Sequence, residues 1–204
     1  MSVALKRVEV GPWPMNCYLL RCPVSGETAV VDPGADPELI LGAVGHAPVC
    51  CILLTHGHAD HVGALEEVRS ALGVPVGIHP ADADAFGLRA DFSLSDAKVV
   101  EVGRSQVSVV HVPGHTPGSV CLRLDGHAVV GDAIFPGGPG HTTSAEALEQ
   151  SLGSLRRKIF VWADEIELHP GHGGATTVGA ERAAFESFMA SERPPDLFGD
   201  VAWR

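Results

Sequence analysis

The chain has 204 residues, of which 45% are hydrophobic, so it can form a sizeable core and is not a disordered chain. Its 14 basic and 25 acidic residues give a net charge of −11, which disfavours binding to nucleic acid or to an anionic membrane. No apolar run approaches the ~20 residues of a transmembrane helix, and residues 1–10 lack the apolar stretch of a secretory signal. We therefore expect one domain, 1–204, with an irregular tail from about residue 194.

The first half of the chain alternates short strands with helices. Asp36 followed by Pro37 predicts the start of a helix that ends near Gly45. Apolar residues at helical spacing from Val62 predict a second helix that stops at Gly73. Runs rich in Val and Leu, bounded by Gly and Pro, predict strands at 3–10, 16–22, 27–32, 49–55 and 76–79, with a helical or irregular piece at 80–94.

The second half is again rich in strands and closes with helices. Asp125-Gly126 predicts a tight hairpin, and Thr143 with Glu146 predicts a capping box before a helix. A final helix is predicted from Val178. The strands are predicted at 97–102, 107–112, 119–124, 127–130 and 165–168. Two strand-rich halves with helices favour an α/β or α+β fold in which two mixed sheets pack face to face.

Five cysteines form no CxxC pair, and most lie in apolar runs, so we expect buried free thiols. An odd number of thiols without a secretory signal favours a reducing, cytoplasmic location.

The eleven histidines are the unusual feature of the composition. Four potential metal ligands, His56, His58, Asp60 and His61, fall within six residues, between a predicted strand and a helix. Imidazole and carboxylate groups are costly to bury unpaired, so this segment is not core filler. Such a turn can direct His56 and His58 one way and Asp60 and His61 another, as two neighbouring ions require.

Three further segments place a ligand at a strand end in a turn rich in Gly or Pro. They contain His115 (in 113–119), Asp132 (after Gly131) and His172 (in 170–173). Ligands on loops held by the rigid ends of strands are a common way to build a site. Thr55, Thr116 and Asp32 are candidate hydrogen-bond partners that orient the histidines.

The HxHxDH segment followed by His115, Asp132 and His172, in this order, resembles the metallo-β-lactamase superfamily. The resemblance implies an αββα four-layer sandwich, with two mixed sheets flanked by helices and a dinuclear site at one edge. It also implies that one ion is held by His56, His58 and His115, the other by Asp60, His61 and His172, and that Asp132 bridges both. Three imidazoles suit zinc, whereas the mixed second set also suits iron or manganese. A hydroxide shared by two such ions would attack a carbonyl, oriented by Asp60.

Within the superfamily, residues 16–20, 31–34 and 131–142 are most similar to glyoxalase II-like thioester hydrolases. That branch implies hydrolysis of a small thioester, or of an ester. The family usually has Arg or Lys where His141 stands and a tyrosine where Gly174 stands, and its C-terminal extension is not matched. His141 is therefore a candidate substrate contact, and the acyl group and thiol carrier stay open.

Two alternatives remain. A persulfide dioxygenase-like enzyme of the same superfamily would bind a single iron through His56, His115 and Asp132. A non-catalytic scaffold that kept the fold is disfavoured by the intact ligand set, because idle buried polar groups are costly. Two zinc ions, one iron, or no metal would discriminate the three interpretations.

Overall fold

Two six-stranded mixed sheets form the centre of the computed structural model, which describes residues 3–203. The first sheet contains β1 (Ala4–Val10), β2 (Met15–Arg21), β3 (Thr28–Val31), β4 (Val49–Leu53), β5 (Val76–Ile78) and β6 (Phe92–Ser93), side by side in that order. Its first three strands are antiparallel, and β3 to β6 run parallel.

The second sheet contains β7 (Val99–Val102), β8 (Ser105–His111), β9 (Val120–Arg123), β10 (His127–Gly131), β13 (Glu167–Pro170) and β14 (Thr176–Thr177), again in that spatial order. Only the β10–β13 pair is parallel. A small separate hairpin, β11 (Ile134–Phe135) with β12 (Gly138–Pro139), follows β10. The helices are α1 (Pro37–Val44), α2 (Ala59–Val62), α3 (Leu65–Leu72), α4 (Pro80–Phe86), α5 (Ala145–Ser154), a π-helical turn (Leu155–Ile159) and α6 (Val178–Ala190).

Three buried apolar clusters show the layer order. One lies between the sheets and includes Leu53 of the first and Leu122 of the second. The second cluster packs α1 and α3 on the outer face of the first sheet. The third packs α5 and α6 on the outer face of the second. Burial of one face of each sheet and one stripe of each helix gives the helix–sheet–sheet–helix sandwich expected from the sequence.

Several predicted boundaries need correction. The cap of α5 is Ser144, not Thr143, because Ser144 has the extended backbone of a cap residue and its Oγ accepts a hydrogen bond from Ala147 N. Asp36 precedes α1 but does not cap it, since its carboxylate accepts instead from Gly11 N at 2.7 Å. The apolar run 49–55 ends as a strand at Leu53, and the strand predicted at 165–168 lies at Glu167–Pro170.

Within residues 3–203, no helix combines the length and the apolar character needed to cross a bilayer.

Candidate metal centre

The seven ligands expected from the sequence converge where four strands end. His56 to His61 follow β4 and enter α2, and His115 lies in the loop between β8 and β9. Asp132 follows β10, and His172 follows β13. The chain thus brings together side chains that are up to 116 residues apart (172 − 56).

The first group contains three histidines. The candidate ligand atoms of His56, His58 and His115 lie within 4.8 Å of one another. His58 Nδ1 and His115 Nε2 are 2.9 Å apart. Three imidazole nitrogens that converge on one point form a donor set suited to zinc.

The second group is mixed. Asp60, His61 and His172 also place their ligand atoms within 4.8 Å of one another. His172 Nε2 is 3.0 Å and His61 Nε2 is 3.9 Å from Asp60 Oδ2. A carboxylate with two imidazoles suits zinc, iron or manganese.

Asp132 lies between the two groups, and its two oxygens face different neighbours. Its Oδ1 is 3.3 Å from His61 Nε2. Its Oδ2 is 3.8 Å from both His115 Nε2 and His172 Nε2. One carboxylate therefore faces both triads, as a bridging ligand would.

Three buried polar atoms at this centre have no hydrogen-bond partner among the described residues: His56 Nε2, His61 Nε2 and Asp132 Oδ1. A buried polar atom left unpaired costs about 1–3 kcal/mol, so native structures rarely keep several together without a ligand. Bound cations would satisfy all three atoms. The donor set and its orphaned atoms thus fit a metal centre.

The pKa values of the histidines at the centre are shifted in two opposite directions. Burial lowers the pKa of His56 well below its usual value, and the surrounding histidines lower it further. Burial likewise lowers the pKa of His58 and of His115. Burial also opposes charge on His61, but the nearby Asp132 carboxylate and the hydrogen bond with Asp32 raise its pKa to about 10. Burial therefore favours the neutral, ligating form of the first group, whereas the carboxylates beside His61 favour a positive charge at its position, which a bound cation would supply.

Backbone and side-chain partners fix the orientation of the rings. His115 Nδ1 donates to His141 O at 2.8 Å, and His172 Nδ1 donates to Pro14 O at 3.0 Å. In both rings Nε2 then points towards the centre, where its lone pair can bind a cation. Asp32 Oδ2 lies 3.0 Å from His61 Nδ1, and the same carboxylate accepts from Thr55 N at 2.7 Å.

A buried aspartate that was not predicted from the sequence joins two of the loops that carry candidate ligands. Asp82, in α4, accepts hydrogen bonds from Gly57 N at 3.0 Å, Gly118 N at 2.6 Å and Thr116 Oγ1 at 2.8 Å. The hydroxyl of Thr116, which was expected to help orient the histidines, is bound to this carboxylate. No motif marks Asp82 in the sequence, since its partners come from loops distant along the chain.

Aromatic side chains border the opening of the site. Phe86 packs edge-on against His58 with ring centroids 5.3 Å apart, and Phe135 lies 6.5 Å from His172. Trp13, in the turn that supplies the carbonyl for His172, is 81% exposed. His141 Nδ1 lies 3.0 Å from Asp200 Oδ1, so this candidate substrate contact already has a partner in the chain.

Gly171 provides a close packing position beside the centre, and we expect Gly171→Ala to weaken metal binding by about 10–100-fold. A Cβ at this position would lie 2.2 Å from Asp132 Oδ1 and 2.4 Å from His61 Cε1, so both side chains would have to move. Competition with a chromophoric chelator measures the loss. Gly174→Ala is the control, because a Cβ there meets no atom within 4 Å. Equal affinities of the two variants would contradict the prediction.

The family model described as "Metallo-beta-lactamase superfamily" matches residues 10–177 of the chain. A hydroxyacylglutathione hydrolase of Anaeromyxobacter dehalogenans is 38% identical over 181 residues, with 86% of this chain and 68% of the relative covered. Hydroxyacylglutathione hydrolase GloC of Haemophilus influenzae is 30% identical over 198 residues, covering 86% of this chain and 93% of the relative.

Solved structures give the same fold. The BLEG-1 B3 metallo-beta-lactamase superposes with a TM-score of 0.77 at 29% identity, covering 88% of this chain and 97% of that one. TTHA1623, solved in a di-iron-bound form, superposes with a TM-score of 0.73 at 31% identity, covering 87% and 96%.

Proposed function

The chain belongs to the metallo-beta-lactamase superfamily, and on that premise we propose that it is a dinuclear metal-dependent hydrolase of small thioesters. The observation that carries this proposal is the position of Asp132. Its Oδ1 faces His61, and its Oδ2 faces both His115 and His172, so this one carboxylate reaches both triads, as a ligand shared by a pair of ions would.

We assign His56, His58 and His115 to one ion, Asp60, His61 and His172 to the other, and Asp132 to both. When bound, divalent ions of this kind supply Lewis acidity, which activates water and polarises a carbonyl group. The histidine donors favour Zn²⁺, while iron or manganese also suits the second triad. The di-iron form of TTHA1623 supports iron as a candidate for this chain.

The protein's own residues hold the ligand rings in place and orient the attacking water. The carbonyl groups of His141 and Pro14 fix the tautomers of His115 and His172, so no ring has to reorient during turnover. Asp60 is half-exposed at the mouth of the site, and we assign it the role of accepting a hydrogen bond from the attacking water.

The substrate class rests on the relatives and on the surroundings of the site. Two relatives are hydroxyacylglutathione hydrolases, and the exposed aromatic rings of Trp13 and Phe86 offer apolar surface to an acyl thiol. Asp200 beside His141 places a carboxylate where the anionic groups of glutathione would need a cation. We therefore extend the proposal to thioesters of uncharged thiols.

All five cysteines are free, and four of them are buried. Free thiols support the proposed reducing, cytoplasmic location. The acidic composition supports a small-molecule substrate rather than nucleic acid or a membrane.

Metal analysis combined with a substrate panel tests the proposal. We expect about two metal ions per chain in protein never exposed to chelator, and release of free thiol from at least one acyl thioester. The panel contains S-lactoylglutathione, an N-acetylcysteamine thioester, an oxygen ester and a chromogenic cephalosporin, the last because one similar structure is a metallo-beta-lactamase.

Each contrary result has a distinct meaning. A metal content well below one ion per chain would contradict the dinuclear centre. One iron per chain with oxygen consumption and no thiol release would favour the persulfide dioxygenase-like alternative. A full metal content without turnover of any ester or thioester would favour a non-catalytic scaffold.

A further inference from the structure

A second cluster of metal-binding side chains lies outside the candidate centre. His127 Nδ1 is 3.1 Å from Glu167 Oε2 and 3.2 Å from His169 Nε2. Glu167 Oε2 and His169 Nε2 are 3.5 Å apart. The three atoms thus form a nearly equilateral triangle, made by one carboxylate and two imidazoles.

The strands hold this triangle in place. His127 is at the start of β10, and Glu167 and His169 are in the neighbouring parallel strand β13, with His127 paired to Glu167 and Val129 paired to His169. The intervening Leu168 packs into the outer cluster with the helices, so the three side chains project from the opposite face, towards the first sheet. The ring of Tyr18 of the first sheet contacts His169 edge-on at 5.9 Å.

The size of the triangle matches a tetrahedral metal ion. Ligand atoms at about 2.0–2.1 Å from zinc, with tetrahedral angles, lie about 3.3 Å from one another. The three separations of 3.1, 3.2 and 3.5 Å bracket that value. An ion could enter this triangle without a change of backbone, because both strands are already fixed by the sheet.

All three side chains of the triangle are partly exposed, so solvent can reach a fourth coordination position. The His169 side chain is 13% exposed, whereas His127 and Glu167 are 36% and 49% exposed. Burial lowers the pKa of His169, and the nearby His127 lowers it further, so the ring is neutral and can ligate. The guanidinium group of Arg7, the cation that also acts on His169, donates to Gly173 O at 3.0 Å.

We propose that His127, Glu167 and His169 form a separate site for one divalent transition-metal ion of the Zn²⁺ class, with water in the fourth position. The ion joins β10 to β13. These two strands lead directly to Asp132 and His172 of the candidate centre. Bound metal would therefore stabilise the strand pair that carries two of the seven ligands.

Zinc uptake by the purified, metal-loaded protein tests this site. The protein is titrated with Zn²⁺ against a chromophoric chelator, and bound zinc is counted by mass spectrometry. We expect the wild type to bind one equivalent more than the double variant His127→Ala/His169→Ala. The same zinc concentration should raise the Tm of the wild type and not that of the double variant.

Two further variants complete the design. His46→Ala removes an exposed histidine elsewhere and should retain the additional equivalent. The single variant His127→Ala replaces the residue at the start of the strand. Its zinc uptake is compared with that of the wild type if the double variant does not fold. Equal zinc uptake by the wild type and the triangle variants would overturn the proposal. Because the readout is a difference in zinc uptake, it is independent of hydrolytic activity.

Discussion

Asp132→Ala is expected to lower kcat/KM for the thioester substrate by about a thousandfold, which corresponds to about 4 kcal/mol of transition-state stabilisation. The Asp132 carboxylate lies against histidines of both triads, so its loss affects both proposed ions. His141→Ala is expected to cost less than about tenfold, because the His141 ring is exposed and its carbonyl, which holds His115, remains. Rates of thiol release measured on both variants provide the comparison.

The metal content of the same preparations separates loss of ions from loss of fold. Asp132→Asn retains the shape of the side chain but not its charge, and we expect it also to bind less metal than His141→Ala. Circular dichroism of each variant provides the folding control. Equal losses of activity in Asp132→Ala and His141→Ala would contradict the proposed bridging role.

The convergence of the seven candidate ligands could be predicted from the sequence because each of them follows a clear local signal. An apolar run predicts the strand, and a turn rich in Gly or Pro predicts its end, so His115 and His172 fall on loops at strand ends. Asp32 was also expected to orient a histidine, and it lies 3.0 Å from His61 Nδ1. That the whole chain forms one domain stays a prediction.

The features that could not be predicted from the sequence depend on contacts between distant residues, or belong to elements too short to show a pattern. The strands β11 and β12 have two residues each, which is below the length at which alternation of apolar residues is detectable. The choice between Thr143 and Ser144 as the cap of α5 depends on which backbone is extended, and neighbouring hydroxyl residues give the same local signal. The zinc-sized triangle of His127, Glu167 and His169 requires the register of β10 against β13, which strand patterns do not supply.

Asp82, beside the candidate centre, is another residue whose role depends on contacts with distant segments. We expect the second large effect from its replacement. The side chain is fully buried and accepts three hydrogen bonds, from Gly57, Gly118 and Thr116. Removing such a partner leaves buried donors unpaired, so Asp82→Ala should lower the free energy of unfolding by about 3–5 kcal/mol. Denaturant unfolding of the purified variant measures this loss.

Asp82 is hydrogen-bonded both to the loop that carries His56 and His58 and to the loop that carries His115. Activity should therefore fall as well. At a temperature where the variant remains folded, we expect kcat/KM to decrease by about 10–100-fold together with metal affinity. Asp84→Ala, an exposed position in the same helix, should change the free energy of unfolding by less than about 0.5 kcal/mol and leave activity unchanged. If Asp82→Ala lost stability while the folded fraction kept full activity and metal affinity, Asp82 would hold the fold without positioning the ligands.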